Sequence, residues 1–294
     1  MANLKAVRDR IKSVQNTQQI TKAMKMVSAA KLRRAQQAIQ QMRPYANKLN
    51  EMLRNILSNL GSDAGSDFGT VRPVQHACAV VVTSDRGLCG AFNTNIIKSA
   101  RTNIEEKYAA VRQEGNLSIL CIGKKGYDFF RKHYADCHII EDYVDLFHDL
   151  SFENVAQASQ QLMDAFSDGT YDAVDVSYGR FKNAATQFTE TEQWLPVPKI
   201  EATNGAKAGY IFEPGMEELL EILIPNILQI TFQKYLLDTQ ASEHGARMTA
   251  MDKATENAED LLKDLKLSFN KARQEAITGE ILEIVGGAAA LESA

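Results

Sequence analysis

Two glycine-rich turns are the stretches of this sequence whose backbone could bind a ligand. "SDRGLCGAFN" (84–93) and "GKKG" (123–126) each follow an apolar run that predicts a strand, and each precedes a predicted helix. Glycines at such a junction allow backbone N–H groups to approach a phosphate. Neither stretch matches the G-x-G-x-x-G pattern of dinucleotide sites or the G-x-x-x-x-G-K-[ST] pattern of P-loops. Turn formation therefore explains both stretches better than phosphate binding does.

The side chains that commonly perform catalysis or bind metals are scattered. Cys78, Cys89, Cys121 and Cys137 form no C-x-x-C pair, which favours separate reduced thiols over a zinc site or a disulfide framework. The histidines are equally dispersed, and one of them, His138, is adjacent to a cysteine. No Ser/His/Asp or Cys/His spacing typical of nucleophilic catalysis stands out. We therefore predict no catalytic residue, no cofactor and no metal site.

The composition is that of an ordinary soluble globular protein. The chain has 294 residues, of which 45% are apolar and 24% are charged. No run approaches the ~18 consecutive apolar residues of a transmembrane helix. The first residues, "MANLKAVRDRIKSV", carry charges where a signal peptide needs an apolar segment. These features predict a cytoplasmic protein.

The charge is distributed unevenly. Residues 1–60 contain 12 Lys and Arg against Asp9 and Glu51, which gives this segment a charge of +10. Since the net charge of the chain is −4, the remaining residues together carry −14. Such an asymmetry indicates an acidic partner for the N-terminal segment. Nucleic acid is an alternative partner, but the segment has a single aromatic residue, Tyr45, and no known nucleic-acid-reading motif.

The N-terminal block, residues 1–60, shows a helical pattern from about residue 3 to about residue 60, interrupted by Pro44. Apolar residues repeat with heptad spacing, as in a coiled coil. One row consists of Val7, Val14, Ala35, Met42, Leu49 and Ile56, and neighbouring rows contain Leu4, Ile11, Leu32 and Ile39, or Ala38, Tyr45 and Met52. In the middle the row is polar, at Thr21 and Ser28, and we predict that apolar contact shifts there to Ile20, Met24 and Val27.

The C-terminal block, residues 214–294, has a longer heptad repeat and is predicted to form a coiled-coil helix, with no proline between Pro225 and the Gly286–Gly287 pair. The predicted contact positions are Ala241, His244, Met248, Met251, Thr255, Ala258, Leu262, Leu265, Phe269, Ala272 and Ala276. About 60 residues at 1.5 Å each give a rod of roughly 90 Å. Two comparable helices at opposite ends of a chain, joined through a middle domain, predict an antiparallel coiled coil.

The middle block, residues 70–213, alternates between strand and helix patterns. Strands are predicted at 76–84, 117–123 and 137–142, and helices near 93–112, 124–134 and 152–167. Two further strands, 171–181 and 185–197, read as a hairpin. The alternation favours a Rossmann-like α/β domain with a mainly parallel sheet. The fold class expected for the whole chain is mixed, a central α/β domain plus the terminal coiled coil.

The end of the chain is apolar on several faces. Ile277, Ile281, Leu282, Ile284 and Val285 do not follow one helical stripe. A helix that is apolar on several faces has to be surrounded. If the N-terminal helix begins part-way along the C-terminal one, another protein must cover this tail.

Several stretches resemble the gamma subunit of F-type ATP synthases. They are "RIKSVQNTQQITKAMKMVSAAKLRRAQ" near the start, "TSDRGLCGAFN" in the middle, and "SEHGARMTAMDKATENA" and "NKARQEAITGEILEIVGGA" near the end. Because they occur in the family's order, the resemblance covers essentially the whole chain. It implies a non-catalytic rotary shaft, present once per complex, whose terminal helices enter a ring of three alpha and three beta subunits. It also implies an epsilon subunit beside the central domain, and contact with the membrane only through a c-ring on the cytoplasmic side of the inner membrane.

The resemblance also implies roles for individual residues. Met24 and Lys25 match positions that face an acidic loop of a beta subunit, and Glu243 and Arg247 match their neighbours across the coiled coil. Arg273 and Gln274 match a pair that engages beta-subunit loops, with Thr278 and Glu280 beyond them. Tyr210 and Glu213 match the foot of the shaft near the c-ring.

Two other readings of the sequence remain open. A static coiled-coil scaffold around an α/β module would be stable alone and would not associate with an ATPase ring. A phosphate- or nucleotide-binding enzyme using the 84–90 turn would bind ATP tightly as an isolated chain.

Overall fold

The structure is a computed structural model that describes residues 4–60, 67–197 and 215–292. The helices are α1 Leu4–Leu60, α2 Phe92–Lys107, α3 Ala109–Gln113, α4 Lys124–His133, α5 Phe152–Ser167 and α6 Met216–Glu292. The strands are β1 Ala77–Val82, β2 Leu117–Ile122, β3 His138–Ile140, β4 Ala173–Phe181 and β5 Gln187–Leu195. Short 3-10 turns lie at Asp67–Gly69 and Leu146–His148. No helix in the described ranges combines the length and apolar character needed to cross a bilayer.

The chain divides into two compact units. The larger unit is Ser28–Arg247, and the smaller one combines Met1–Val27 with Met248–Ala294. Because α1 and α6 contribute residues to both units, each unit contains part of a helix pair. The blocks predicted from the sequence, 1–60, 70–213 and 214–294, are defined by helix and strand patterns, whereas these two units are defined by contacts. The predicted block boundaries therefore stay a prediction.

The sheet of the larger unit confirms the predicted mixed α/β class. Its strand order is β3-β2-β1-β4-β5. β3, β2, β1 and β4 run parallel, and β5 pairs antiparallel with β4, as the predicted hairpin requires. β1 and β2 are buried along their whole length, which explains why both read as continuous apolar runs rather than as alternating ones.

Helices cover both faces of this sheet. Cys78, Val80 and Val82 of β1 pack on the side that carries α5 and a segment of α6 around Phe232 and Leu236. The intervening residues of β1 face the opposite side, together with α2 and α4. Successive residues of a strand point to opposite faces, so β1 contributes to two separate cores. The C-terminal helix is therefore part of the α/β domain as well as of the helix pair.

Within the larger unit α1 and α6 pack antiparallel. In the middle of α1, Leu32, Ala35 and Ile39 pack against Leu237 and Ala241 of α6. Further along α1, Leu49, Leu53 and Ile56 pack against the earlier α6 residues Leu220, Leu223 and Ile230. Rising numbers on one helix thus meet falling numbers on the other, which confirms the predicted antiparallel arrangement.

The prolines and the glycine pair singled out in the sequence do not end either long helix. Pro44 lies inside α1 and Pro225 lies inside α6, and α6 continues through Gly286 and Gly287 to Glu292. A proline removes one helical hydrogen bond, a cost of about 3 kcal/mol in a helix interior. In both helices the apolar residues on either side of the proline are packed, for example Met42 and Ala46 around Pro44. Tertiary packing therefore keeps each helix intact past the proline.

The carboxyl edge of the sheet explains one of the two glycine-rich turns. Gly123 has φ of +93°, and a Cβ built on it would lie 2.1 Å from the carbonyl oxygen of Thr83. The Thr83 hydroxyl in turn accepts a hydrogen bond from the Gly126 N–H at 2.8 Å. The glycines of "GKKG" thus allow β1 and the start of α4 to approach each other closely, which is a packing role.

A buried carboxylate lies on α6 in the larger unit. Asp238 is 7% exposed, and burial raises its pKa to about 6. The positive charges of Lys234 on α6, Arg43 on α1 and Arg180 on β4 oppose this rise, whereas Glu190 on β5 adds to it. The ionised form of Asp238 is thus less favourable in the folded protein than in the unfolded chain.

We expect Gly123→Ala to destabilise the chain by more than 2 kcal/mol, because the new methyl group meets backbone at a left-handed φ, where strain alone costs roughly 1–3 kcal/mol. Gly115→Ala is the matched control, since Gly115 also has positive φ, +78°, but open space around its Cβ position. Urea denaturation of both variants measures the difference. Equal losses of stability would show that the close approach to Thr83 is unimportant.

We expect Asp238→Asn to stabilise the protein above pH 6 and to leave it unchanged below pH 4. With a pKa of about 6 when folded, against 3.8 as reference, the carboxyl penalises folding increasingly as pH rises from 4 to 6. The full penalty above pH 6 is about 2–3 kcal/mol. The measurement is the free energy of unfolding at pH 4 and pH 8, with Glu105→Gln as a control at a half-exposed acid. A gain of the same size at both pH values would contradict this account.

Candidate partner-binding surfaces

The smaller unit contains the most regular part of the helix pair. In α6 the residues Met251, Ala258 and Leu262 are buried, and Phe269 and Ala276 on the same stripe are partly buried, whereas the residues between them are largely exposed. This is the heptad stripe predicted from the sequence. Many of its members are small, so the two helix backbones can approach closely.

Cross-helix contacts fix the direction of this pair. The guanidinium of Arg8 lies over the ring of Phe269, with its carbon 5.7 Å from the ring centre. Further along α1, the Thr21 and Thr255 hydroxyls are 2.8 Å apart, and Lys25 forms a salt bridge with Asp252. As the position on α1 rises, the position on α6 falls, so the pairing is antiparallel in this unit also.

The middle of the α1 stripe differs from the prediction. Thr21 and Ser28 are 8% and 3% exposed, whereas Ile20 and Val27 are 59% and 57% exposed. The predicted shift of contact to Ile20 and Val27 is therefore wrong. The Thr21 hydroxyl also donates to the Gln18 carbonyl, and the Thr255 hydroxyl to the Met251 carbonyl. Together with the contact between them, these bonds satisfy both hydroxyls at the interface.

The same correction applies to a second predicted row. Tyr45 and Met52 are 57% and 40% exposed, and Ala38 beside them is partly buried. The heptad through Met42 and Leu49 forms the seam instead. Two adjacent apolar rows on one helix are ambiguous in sequence, and the register of the partner helix decides between them.

Apolar side chains that do not enter the seam form a surface on α1. Ile20, Met26 and Val27 are 57–60% exposed. Met24, which the resemblance assigns to a beta-subunit contact, is partly buried, and the neighbouring Lys25 keeps 40% of its side chain exposed despite its ion pair. This stretch therefore offers both apolar and positive surface.

The C-terminal candidates lie on the surface of α6. Arg273, Gln274, Thr278 and Glu280 are all exposed, so each is available to another protein. The apolar side chains beyond Ala276 are exposed too; Ile277, Ile281, Leu282, Ile284 and Val285 range from 49% to 71%. Exposed apolar residues concentrated on one segment are typical of a protein-binding surface.

Glu243 and Arg247 occupy a different environment. They form a salt bridge in the larger unit, with 11% of each side chain exposed. Burial raises the pKa of Glu243, against the opposing charge of Arg247. Burial also lowers the pKa of the adjacent His244 to about 4, helped by the positive charges of Arg247 and Lys31. Little of this charged group is available for direct contact with a partner.

The 84–90 loop contains residues that sequence reasoning did not single out. Arg86 is exposed, and Leu88 has φ of +65° with 65% of its surface exposed. The "SDRGLCG" motif drew attention to the loop, but its glycines suggested a ligand site rather than a displayed surface. The remaining candidates, Tyr210 and Glu213, lie outside the described residues.

The cysteines are not organised for chemistry. Burial raises the pKa of Cys78 and of Cys121 to about 12, so both stay protonated at neutral pH. In the ranges that the structure describes, no cluster of His, Cys, Asp and Glu could hold a metal ion. The candidate sites are therefore surfaces for binding another protein: the exposed faces of α1 and α6, the apolar tail of α6 and the 84–90 loop.

Known proteins match the chain over its whole length. A family model described as ATP synthase covers residues 3–291. The ATP synthase gamma chain of Cytophaga hutchinsonii is 53% identical over 298 residues, which cover 100% of both chains. The gamma chain of Flavobacterium psychrophilum is 52% identical and covers 99% of this chain and 100% of its own.

Solved structures show the same fold. A chain of the Euglena gracilis mitochondrial ATP synthase, from an OSCP/F1/c-ring structure, aligns with a TM-score of 0.68 and 24% identity, covering 99% of this chain and 95% of that one. A chain from the central stalk and c-ring of the Tetrahymena thermophila enzyme aligns with a TM-score of 0.56 and 23% identity, covering 80% and 99%. The full-length sequence matches decide the family: this chain belongs to the ATP synthase gamma chains.

Proposed function

We propose that this chain is the central rotor shaft of a proton-translocating F-type ATP synthase. In this role one copy stands in a ring of three alpha and three beta subunits, beside an epsilon subunit and on a c-ring. It is a peripheral subunit on the cytoplasmic side of the inner membrane and performs no bond chemistry itself. The observation that carries the proposal is the antiparallel seam with its exposed apolar tail, found in a chain of this family.

The surface of the helix pair suits a shaft that turns inside a ring. In α1 the residues from 4 to 27 include six Lys or Arg and one acid, Asp9. An excess of positive charge attracts acidic loops of surrounding subunits without fixing one geometry, because long-range fields are non-directional. The small residues of the seam keep the pair slim. The apolar tail needs a cover, and the end of a surrounding ring supplies one.

Asymmetry lets such a shaft couple rotation to chemistry elsewhere. A rotor presents different side chains to three identical beta subunits at any moment. Each ~1.4 kcal/mol of difference in contact energy shifts a subunit's conformational equilibrium about tenfold. Rotation moves that difference from one beta subunit to the next. Proton flow through the c-ring is thereby linked to nucleotide binding and release.

Co-purification with alpha and beta subunits, followed by single-molecule rotation of the assembled complex, tests the proposal. We expect one copy per complex and rotation driven by ATP. A stable isolated chain that does not associate with the ring would favour the scaffold reading. Tight ATP binding to the isolated chain in calorimetry would favour the enzyme reading.

We expect Met24→Lys to lower the coupling between ATP hydrolysis and proton pumping. The new ammonium would stand beside Lys22 and Lys25 and form an additional ion pair with an acidic beta-subunit loop, which resists release as the shaft turns. The measurement is the number of protons pumped per ATP hydrolysed in membrane vesicles. Met24→Leu, which keeps the size and apolar character of the residue, is the control. An unchanged ratio in Met24→Lys would count against this contact.

We expect deletion of residues 287–294 to be tolerated better than the double substitution Arg273→Ala with Gln274→Ala. The end of the tail guides the shaft, whereas the exposed Arg273 and Gln274 provide polar contacts to the beta subunits. ATPase activity and ATP-driven pumping of reconstituted complexes measure both. If the deletion is the more damaging change, the assignment of these two residues is wrong.

A further inference from the structure

The loop after β1 is held in an unusual conformation. The Ser84 hydroxyl donates to the Arg86 carbonyl at 2.7 Å, and the Ser84 N–H donates to the Asn93 side chain at 2.9 Å. Leu88 then adopts a left-handed φ of +65°, which is uncommon for a leucine. Such a conformation persists where the surrounding structure holds it.

Asn93 and the backbone N–H groups of Lys124 and Lys125 hold the start of the loop. The middle of the loop is held by Arg247 of α6. Its Nη2 donates to the carbonyl oxygens of Arg86 at 3.1 Å and of Gly87 at 3.3 Å. Its other terminal nitrogen, Nη1, reaches the Glu243 carboxylate and lies 3.4 Å from Nδ1 of His244. One planar guanidinium therefore joins two carbonyls of the loop to a buried carboxylate on its own helix. A lysine ammonium is a single point of charge and lacks this fork geometry.

The contact between Arg247 and the loop lies next to the two side chains that the loop exposes. Arg86 and Leu88 project outward and are exposed, whereas Cys89 directly after them is 2% exposed. Arg247, which is itself 9% exposed, thus holds the backbone at Arg86 and Gly87, directly beside the displayed side chains. A buried guanidinium with a fixed ion pair is suited to bracing, and it has little surface with which to touch a partner.

We infer that Arg247 is a positioning residue that braces the 84–90 loop and so fixes the conformation in which Arg86 and Leu88 are displayed. Arg247 then acts on coupling through the loop rather than through its own contact with a beta subunit. The effect of Arg247 on coupling rests on the proposed rotor function, whereas the bracing of the loop by Arg247 does not depend on that function. The bracing and the effect on coupling are therefore tested separately.

Thiol labelling of Cys89 tests the bracing in the full-length chain. We expect Arg247→Lys and Arg247→Gln each to raise the rate of maleimide labelling at Cys89 about tenfold, as the loss of a charged hydrogen bond to the loop implies. Peptide mapping separates Cys89 from the other three cysteines. Arg112→Lys is the matched control, because Arg112 also pairs with an acid, Asp136, but makes no contact with the loop among its described bonds. An unchanged Cys89 rate in both Arg247 variants overturns the inference.

A mutant cycle in the assembled complex tests the functional step. We expect Arg247→Lys and the paired change Arg86→Ala with Leu88→Ala each to lower the number of protons pumped per ATP, and the combination of all three to be no worse than the paired change alone. Residues that act through one another show such non-additivity. Additive losses, or a loss in Arg247→Lys with none in the paired Arg86→Ala and Leu88→Ala change, overturn the inference. Failure of the unaltered chain to assemble with the ring would refute the rotor function and leave the labelling result standing.

Discussion

The antiparallel packing of α1 against α6 is the constraint on which the rest of the molecule depends. It joins the N-terminal helix to the C-terminal helix, and a segment of α6 also packs on the sheet, where Phe232 and Leu236 complete one core. The seam combines small and medium apolar residues, such as Ala35 and Ala241, so the helices lie close together. Without this pairing neither long helix would bury enough apolar surface to stay folded in water.

Polar groups inside the seam are satisfied rather than excluded. The hydroxyl pair of Thr21 and Thr255 and the ion pair of Lys25 and Asp252 occupy one stretch of the smaller unit. A polar pair at an interface disfavours other registers, since a shifted helix would leave the groups unpaired. It also displaces apolar residues to the outside, which explains the exposed Ile20 and Val27. The choice of seam thus creates a surface that another subunit can use.

Buried charge on α6 serves a different purpose. Arg247 and Glu243 are costly to desolvate as an ion pair, and two apolar residues could fill the same space. The pair also has a role in the loop: Nη2 of Arg247 donates to two carbonyls of the 84–90 loop, while Nη1 reaches the Glu243 carboxylate. The larger unit therefore uses its helix to shape a loop, in addition to packing against its sheet.

The sequence by itself determined the family, the fold class, the heptad stripe of α6 and the strands of the sheet, because hydrophobic periodicity and local motifs are properties of neighbouring residues. It did not determine the continuation of the helices through Pro44 and Pro225, the burial of Thr21 and Ser28, or the contact between Arg247 and the 84–90 loop. These features depend on groups far apart in the chain. Packing compensates the lost helical hydrogen bond at each proline, and partner groups across the seam satisfy the buried hydroxyl of Thr21. Only the tertiary structure brings those compensating groups together.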